Sequence, residues 1–502
     1  MGWLAGIFAS CALAVAAGPL LAQQTDAQPT PPASQQASPD AQQPAGPGEQ
    51  VHTGAVSGLD TDARLQNLLA DHQFLRIEAQ LDQLPPAERQ FYRGILANRN
   101  NDPKASIQLL EPLVDEVTAS GNTAHEKLLR KALAEDYLRS GDWSKAAQAY
   151  QTLETRLKGN LNADEQAGIE MPLKLLPLAA ANPPMTVEPC DPFELQVSTD
   201  PLGLTEIPVF VDARPHSWML DPTAPFNLIA RSLAKEAGLK VSDEFATIHT
   251  LTGRPIQVHV TVIPRFTLGG RITFRNMTAF VFDDQDYFFP QTRFQVQGVL
   301  GYPALSALGS LTLTADATIL VQPREAMPPA AADPPGGKAA KAAEPATEPA
   351  AKLANKPAAD PGTKDGKPVQ GARFFFDGDQ MIVALGKVGQ ERMYVVDASG
   401  QQTYLTSRYY SEHSDDFTGK TMQLFSLPGA QAMPPQPAYV AETVPLIAGA
   451  TTVHIHYIQV LTQPLGSAAL DDVYGVLGVD ALDQLKAYTF DYRDMRFSVK
   501  PE

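Results

Sequence analysis

Two aspartates stand at matching places in a repeated pattern. One lies in Met219-Leu220-Asp221-Pro222-Thr223-Ala224, with Leu228-Ile229 following; the other in Val395-Val396-Asp397-Ala398-Ser399-Gly400, with Tyr404-Leu405 following. Asp221 and Asp397 are 176 residues apart. Carboxylates brought face to face repel, so a pair holds one shared proton and offers an acid and a base together. A second landmark recurs downstream. Gly298-Val299-Leu300-Gly301-Tyr302-Pro303-Ala304-Leu305-Ser306-Ala307-Leu308 aligns with Gly475-Val476-Leu477-Gly478-Val479-Asp480-Ala481-Leu482-Asp483-Gln484-Leu485 at seven of eleven positions, 177 residues on. Gly301 and Gly478 thus follow their aspartates by 80 and 81 residues. Two landmarks sharing one offset predict two copies of one unit, residues 186–323 and 371–502.

Other constellations carry less. His454 and His456 share one face of a predicted strand but have no third ligand in sight, so an exposed strand face is the reading and no metal is expected. Asp283-Asp284-Gln285-Asp286 reads as a solvated turn rather than a calcium loop. Trp143 and Tyr150 read as packing residues. No Gly-x-Ser-x-Gly elbow, His-Glu-x-x-His helix or phosphate-cradling glycine loop is present, and no cofactor is expected. Two cysteines, Cys11 and Cys190, exclude a disulfide framework and a zinc site of paired cysteines. A formal net charge of −17 argues against nucleic acid as a partner.

The elements that must position the aspartates come in blocks. Residues 1–22 form an apolar run without acidic residues, ending in small residues before Gln23. This reads as a secretory signal peptide with an atypical, uncharged start, and places the protein in the periplasm or outside the cell. Residues 23–58 are rich in Gln, Pro, Ala and Ser and read as a disordered tether. Residues 59–160 are helical by spacing: Leu65, Leu68 and Leu69; Leu109, Leu110 and Leu113; Leu129, Leu133 and Tyr137. The run Ala134, Tyr137, Gly141, Ala146, Ala147, Tyr150 resembles a tetratricopeptide repeat, which implies a concave face for a protein partner. Residues 324–370 are Ala/Pro/Lys-rich and read as a disordered linker. Strand patterns such as Ile207-Pro208-Val209-Phe210-Val211 and Val453-His454-Ile455-His456-Tyr457-Ile458 fill the two repeated units. No stretch after residue 22 has 18 consecutive apolar residues, so no membrane span is expected in the mature chain.

An apolar strand ending in Asp, an apolar pair seven residues on, a hairpin and a Val-Leu-Gly element together resemble the retropepsin-like aspartic peptidases. Tandem copies resemble the two-lobed pepsin arrangement. The resemblance implies a multi-domain chain: an N-terminal all-α helical repeat and two all-β acid-protease-like lobes. It further implies that Asp221 and Asp397 form the catalytic pair, one taking a proton from a trapped water while the other polarises the scissile carbonyl. Gly301 and Gly478 would lie in loops behind the aspartates. The hairpin tips Thr252-Gly253 and Pro428-Gly429 would act as flaps on a polypeptide substrate. The family's Thr or Ser after each Asp is Pro222 and Ala398 here, and its Gly is Thr223 and Ser399. The hydroxyls of Thr223 and Ser399 are the candidates for loop support. Two readings follow: an exported aspartic endopeptidase, or a catalytically degenerate scaffold that holds a peptide ligand in its lobes and a protein partner on its helices.

Overall fold

Side-chain caps set the helix starts. Asp102, Asn122 and Asp142 accept from the backbone N–H three residues on, at 3.0, 3.1 and 3.1 Å. Asn162 and Glu165 close a reciprocal capping box. Four of the eight helices begin so: the chain runs through α1 (Gly58–Ala70), α2 (Phe74–Glu78), α3 (Pro86–Arg99), α4 (Pro103–Leu110), α5 (Val114–Ser120), α6 (Thr123–Arg139), α7 (Trp143–Leu157) and α8 (Ala163–Ala180), with the caps at α4, α6, α7 and α8. Gly141, at φ 73°, turns the chain between α6 and α7. Consecutive helices α3 and α4, and α6 and α7, pack as pairs. Tyr150 is buried and Trp143 packs beside it. The helical stretch runs past residue 160. Helix α8 carries Pro172 and Pro177 inside it, which hid it from the periodicity.

The computed structural model describes residues 58–222, 224–249, 255–290, 292–323, 363–364, 367–368, 371–378, 380–398, 402–427, 434–466 and 468–500. The signal-peptide reading, the tether up to residue 57, and Thr223, Ser399, Thr252, Gly253, Pro428 and Gly429 all lie outside these. Of the linker, Thr363–Lys364 and Lys367–Pro368 are described and pair with each other.

Ten of the strands described in the first β region correspond one to one with the ten described in the second; the first adds four two-residue strands, Thr186–Val187, Ser198–Thr199, Phe288–Phe289 and Phe294–Gln295. The first region has β1 (Phe193–Gln196), β2 (Thr205–Val211), β3 (Arg214–Leu220), β4 (Leu228–Ala230), β5 (Phe245–His249), β6 (Pro255–Leu268), β7 (Ile272–Phe282), β8 (Gly298–Leu300), β9 (Ser310–Thr314) and β10 (Thr318–Gln322). The second has β11 (Ala372–Asp377), β12 (Gln380–Leu385), β13 (Arg392–Val396), β14 (Tyr404–Leu405), β15 (Gln423–Phe425), β16 (Gln436–Ala448), β17 (Thr451–Leu461), β18 (Gly475–Leu477), β19 (Ala487–Asp491) and β20 (Arg496–Lys500). The pairing order β2-β3-β8-β4-β7-β6-β5 in the first recurs as β12-β13-β18-β14-β17-β16-β15 in the second.

The two regions share one sheet, in the order β1-β10-β9-β19-β20-β11. At its middle, β9 and β19 run antiparallel with Thr312 opposite Thr489, 177 residues away, and their hydroxyls are 2.8 Å apart. Each residue of β9 therefore faces the strand that corresponds to its own, and Thr312 faces its own counterpart. A local twofold axis produces this register. Around it, Leu311, Leu313, Phe490 and Phe497 are buried in a core that draws on both regions.

Candidate active site

Asp221 follows β3, and Asp397 follows β13. Each of those strands pairs in parallel with its Val-Leu-Gly strand, Leu220 beside Leu300 and Val396 beside Leu477. The backbone N–H of Asp221 donates to the Leu300 carbonyl at 3.1 Å, and that of Asp397 to the Leu477 carbonyl at 2.8 Å. The short strand after each loop pairs antiparallel on the other side, Leu228 with Val299 and Tyr404 with Val476. Each aspartate is thus carried at the end of a strand held from a neighbouring strand, an arrangement that fixes the carboxylate better than a free loop.

The glycines behind the loops adopt the same conformation. Gly301 has φ −101° and ψ −176°, Gly478 φ −92° and ψ −179°, and each begins a short helix, α9 (Tyr302–Ala307) and α10 (Val479–Leu482). Gly301 is required by space rather than by φ. A Cβ there would stand 2.2 Å from the Phe226 carbonyl oxygen and 2.6 Å from that of Ala224.

Two residues that the sequence reading missed hold these glycines. The Gly301 N–H donates to Asn227 Oδ1 at 3.1 Å, and the Gly478 N–H donates to Thr403 Oγ1 at 2.8 Å. Asn227 and Thr403 each stand six residues after their aspartate, 176 apart. That shared offset was the available signal, masked because the two residue types differ while doing one job as acceptors. The second region adds a link: the Thr403 hydroxyl donates to Asp480 Oδ1 at 2.6 Å. Burial raises the Asp480 carboxyl, and the Thr403 bonds oppose this.

Neither carboxylate is turned to solvent: Asp221 is 0% and Asp397 6% exposed. The Ala224 N–H donates to Asp221 Oδ1 at 3.1 Å, so the first loop caps its own aspartate three residues on. The Pro222 and Ala398 positions supply no hydroxyl to this arrangement. A buried tyrosine lies within electrostatic reach of each carboxylate. Burial, then Tyr302 and Asp221, push the Tyr492 phenol well up. Burial, then Asp397 and Asp471, do the same to Tyr404. Tyr492 comes from the second region, and its ring stands 5.8 Å from that of Tyr302 in the first.

The remaining sequence candidates lie apart from this site. His454 and His456 are exposed on β17, where His456 Nδ1 lies 3.1 Å from Thr443 Oγ1. Among the described residues no group of three or more His, Cys, Asp or Glu is placed to hold a metal. Asp283 pairs with Arg231, and Asp284 accepts from the Ser232 N–H and hydroxyl at 3.1 and 2.9 Å, so that turn is tied to protein partners. Among the described residues no helix is long and apolar enough to cross a membrane.

A β unit that presents an aspartate on such a loop, braced by a Val-Leu-Gly strand, is of the aspartic-protease type, and this chain contains one. The aspartyl protease family profile matches residues 207–304, from β2 through Asp221 to the Gly301 turn. Asp397 and its region lie beyond that match. Among solved structures, a retropepsin-like aspartic protease from Rickettsia conorii is 19% identical, with 26% of this chain and 98% of that one covered and a TM-score of 0.20. Basic 7S globulin from soybean is 12% identical, over 62% of this chain and 95% of that one, with a TM-score of 0.34. Conglutin gamma, a basic 7S globulin from lupine seeds, is 11% identical, over 62% and 96%, with a TM-score of 0.32. No curated protein matches the chain.

Proposed function

We propose that the chain is an exported aspartic endopeptidase built from two copies of one β unit, with Asp221 and Asp397 as its acid–base pair. The observation that carries this reading is the doubled scaffold. Each aspartate ends a strand in the same register beside its Val-Leu-Gly strand, and the copies meet through Thr312 and Thr489 in a self-complementary ladder. The pair would take one proton between them and activate a water against the peptide carbonyl of an extended substrate. The test is hydrolysis of unfolded casein between pH 3 and 7 by the wild-type chain and by Asp221→Asn. Turnover by the first and none by the second supports the reading. Equal turnover, or none by either at any pH, removes it.

A second reading, a degenerate lobe pair that holds a peptide without cutting it, draws on Pro222 and Ala398. Both loops lack the hydroxyl that follows the aspartate in the family resembled above. The same assay separates the two, since this reading expects casein to be bound and recovered intact. The helical region is taken as tetratricopeptide-like in both readings, on its consecutive helix pairs and small-residue contacts.

A further inference from the structure

The helical region touches both β regions through contacts of different kinds. On the second it is held by charge and apolar packing together. Asp377 at the end of β11 meets Arg99 Nη2 at 3.0 Å and His72 Nδ1 at 3.1 Å. Burial alone would raise the Asp377 carboxyl, but Arg99, His72 and Lys131 outweigh it and hold it well below the usual carboxylate range. Arg373 pairs with Glu78 and donates to Asn100 Oδ1 at 2.7 Å. Phe74 and Phe375 stand 5.1 Å apart, and Phe375, Ile382, Ala384 and Met393 are part of the helical core itself.

On the first region the contact is helix α8. Its residues divide into two stripes. Ile169 and Leu176 join the core around α7, while Met171, Leu175 and Ala179, spaced four apart, join the β core. Helix α8 packs on β5 and β6. The inward residues of that hairpin are Ala246, Ile248, Ile256 and Val258. The hairpin leads by hydrogen bonds to the aspartate loop. Val260 of β6 pairs with Phe280 of β7, and the Phe280 N–H donates to the Asn227 carbonyl at 2.9 Å. The matching hairpin of the second region is met instead by a short helix, Ser407–His413, whose Tyr410 stacks with Phe417 on Tyr439 of β16 at ring distances of 5.8 and 5.2 Å, and Leu424 on β15 is 74% exposed.

We infer that the helical region is an internal brace. Fixed to the second β region at Asp377, it grips the β5–β6 hairpin through α8 and so steadies the Asp221 loop. The faces of α3 and α6 that meet β11 are filled by the chain itself, so an outside partner would have to engage the opposite faces of the helical pairs. The inference does not depend on peptide hydrolysis.

Hydrogen exchange of the full chain, read by mass spectrometry without substrate, tests the brace. In the wild type, amides of residues 245–262 are expected to exchange at least tenfold more slowly than those of 423–444. Leu175→Ala, which empties the middle of the α8 stripe, is expected to raise exchange tenfold or more at 245–262 and 278–280 while leaving 436–461 unchanged. Leu175→Val, a smaller deletion, provides the same reading should the alanine variant not fold. Equal exchange in the two wild-type hairpins overturns the inference. So does an α8 variant that leaves 245–262 unchanged or raises exchange evenly along the chain. Because no turnover is measured, an inactive protein and an absent brace give different results.

Discussion

The first β region closes on itself, and the second does not close in the same way. In the first, β2 pairs with β6 through Val209, Phe210 and Val211 against Leu268, Thr267 and Phe266, so the sheet meets its own edge. At the matching place in the second, the Gly386 N–H donates to the Ile447 carbonyl at 2.9 Å, and no β12–β16 ladder forms among the described residues. The second region instead gives Phe375, Ile382 and Met393 to the helical core. Each such side chain is worth about 1.5–3 kcal/mol against exposure to water, so the helices supply cover that the first region obtains from its own fold. The centre is shared and strict, while the outer parts have diverged. On the reading proposed above, the site needs the two loops to match and places no such demand on the far faces.

The largest expected effect asks whether the two halves are equal where it matters. On the proposed reading, Asp221→Asn and Asp397→Asn should each lower casein turnover by at least about a thousandfold, because removing either member of an acid–base pair removes its function as a unit. Initial-rate measurements between pH 3 and 7 check this. A variant of one half that retains wild-type rates would break the equivalence and leave a single working aspartate.

The next effect sharpens the difference between the halves at equivalent glycines. A Cβ on Gly298 would stand 2.4 Å from the Trp218 ring and 2.8 Å from the Leu228 carbonyl oxygen. On Gly475 it would meet the end of Leu405 at 2.7 Å and the Tyr404 carbonyl oxygen at 3.0 Å. A buried indole cannot yield as a leucine methyl can. Gly298→Ala is therefore expected to cost about 3 kcal/mol and Gly475→Ala about 1–2 kcal/mol, by denaturant titration. Equal costs would mean that the second site is as tightly packed as the first.

Much of the site was readable from residue types alone, and the reason lies in how it is built. The aspartates and the Val-Leu-Gly strands are local patterns with one offset, so residue identity exposes them. Asn227 and Thr403 were not read, because the requirement there is an acceptor for a glycine N–H, which several residue types meet. Helix α8 was not read because Pro172 and Pro177 signal a break, yet its apolar stripes pack on both sides and hold it. The Asp377 joint unites residues 72, 99 and 377 across 305 positions, and no local pattern announces such a contact.

The helical region and its joint with the second β region make a pH prediction of their own. Burial pushes Asp136 of α6 up to about 7, and Arg139, Ser106 and Asn98 offset it only in part. A carboxyl whose folded value is raised favours folding while protonated, and that advantage drains away as pH climbs from the ordinary carboxylate range to about 7. Asp377 has the opposite sign: its depressed value adds stability above the ordinary carboxylate range, lost in acid. Asp136→Asn should gain about 3 kcal/mol on the wild type between pH 5 and pH 8, since each tenfold change in proton affinity is worth about 1.4 kcal/mol and two such steps separate pH 5 from about 7. Thermal melts across that range check it, and parallel curves for the two proteins would refute it.

The smallest effect concerns the two glycine holders. Asn227 holds Gly301 through a side-chain amide that also donates to the Thr278 carbonyl, with Pro303 at the place of Asp480, whereas Thr403 stands between Gly478 and the buried Asp480. Thr403→Val keeps the shape and removes both hydroxyl bonds, at a cost of about 1–2 kcal/mol. Without the hydroxyl, the Asp480 carboxylate loses a charge-assisted hydrogen bond and its acid form only a weaker neutral one, so its already raised value rises further. By the same sign rule, the deficit of Thr403→Val should be smaller in acid and grow as pH rises, and Thr403→Ser should restore most of it. Asn227→Ala should show a loss of similar size with no such dependence. Denaturant midpoints for the three variants at pH 4.5 and 8 decide the matter: equal pH dependence for Thr403→Val and Asn227→Ala would mean that the Asp480 link makes no difference between the halves.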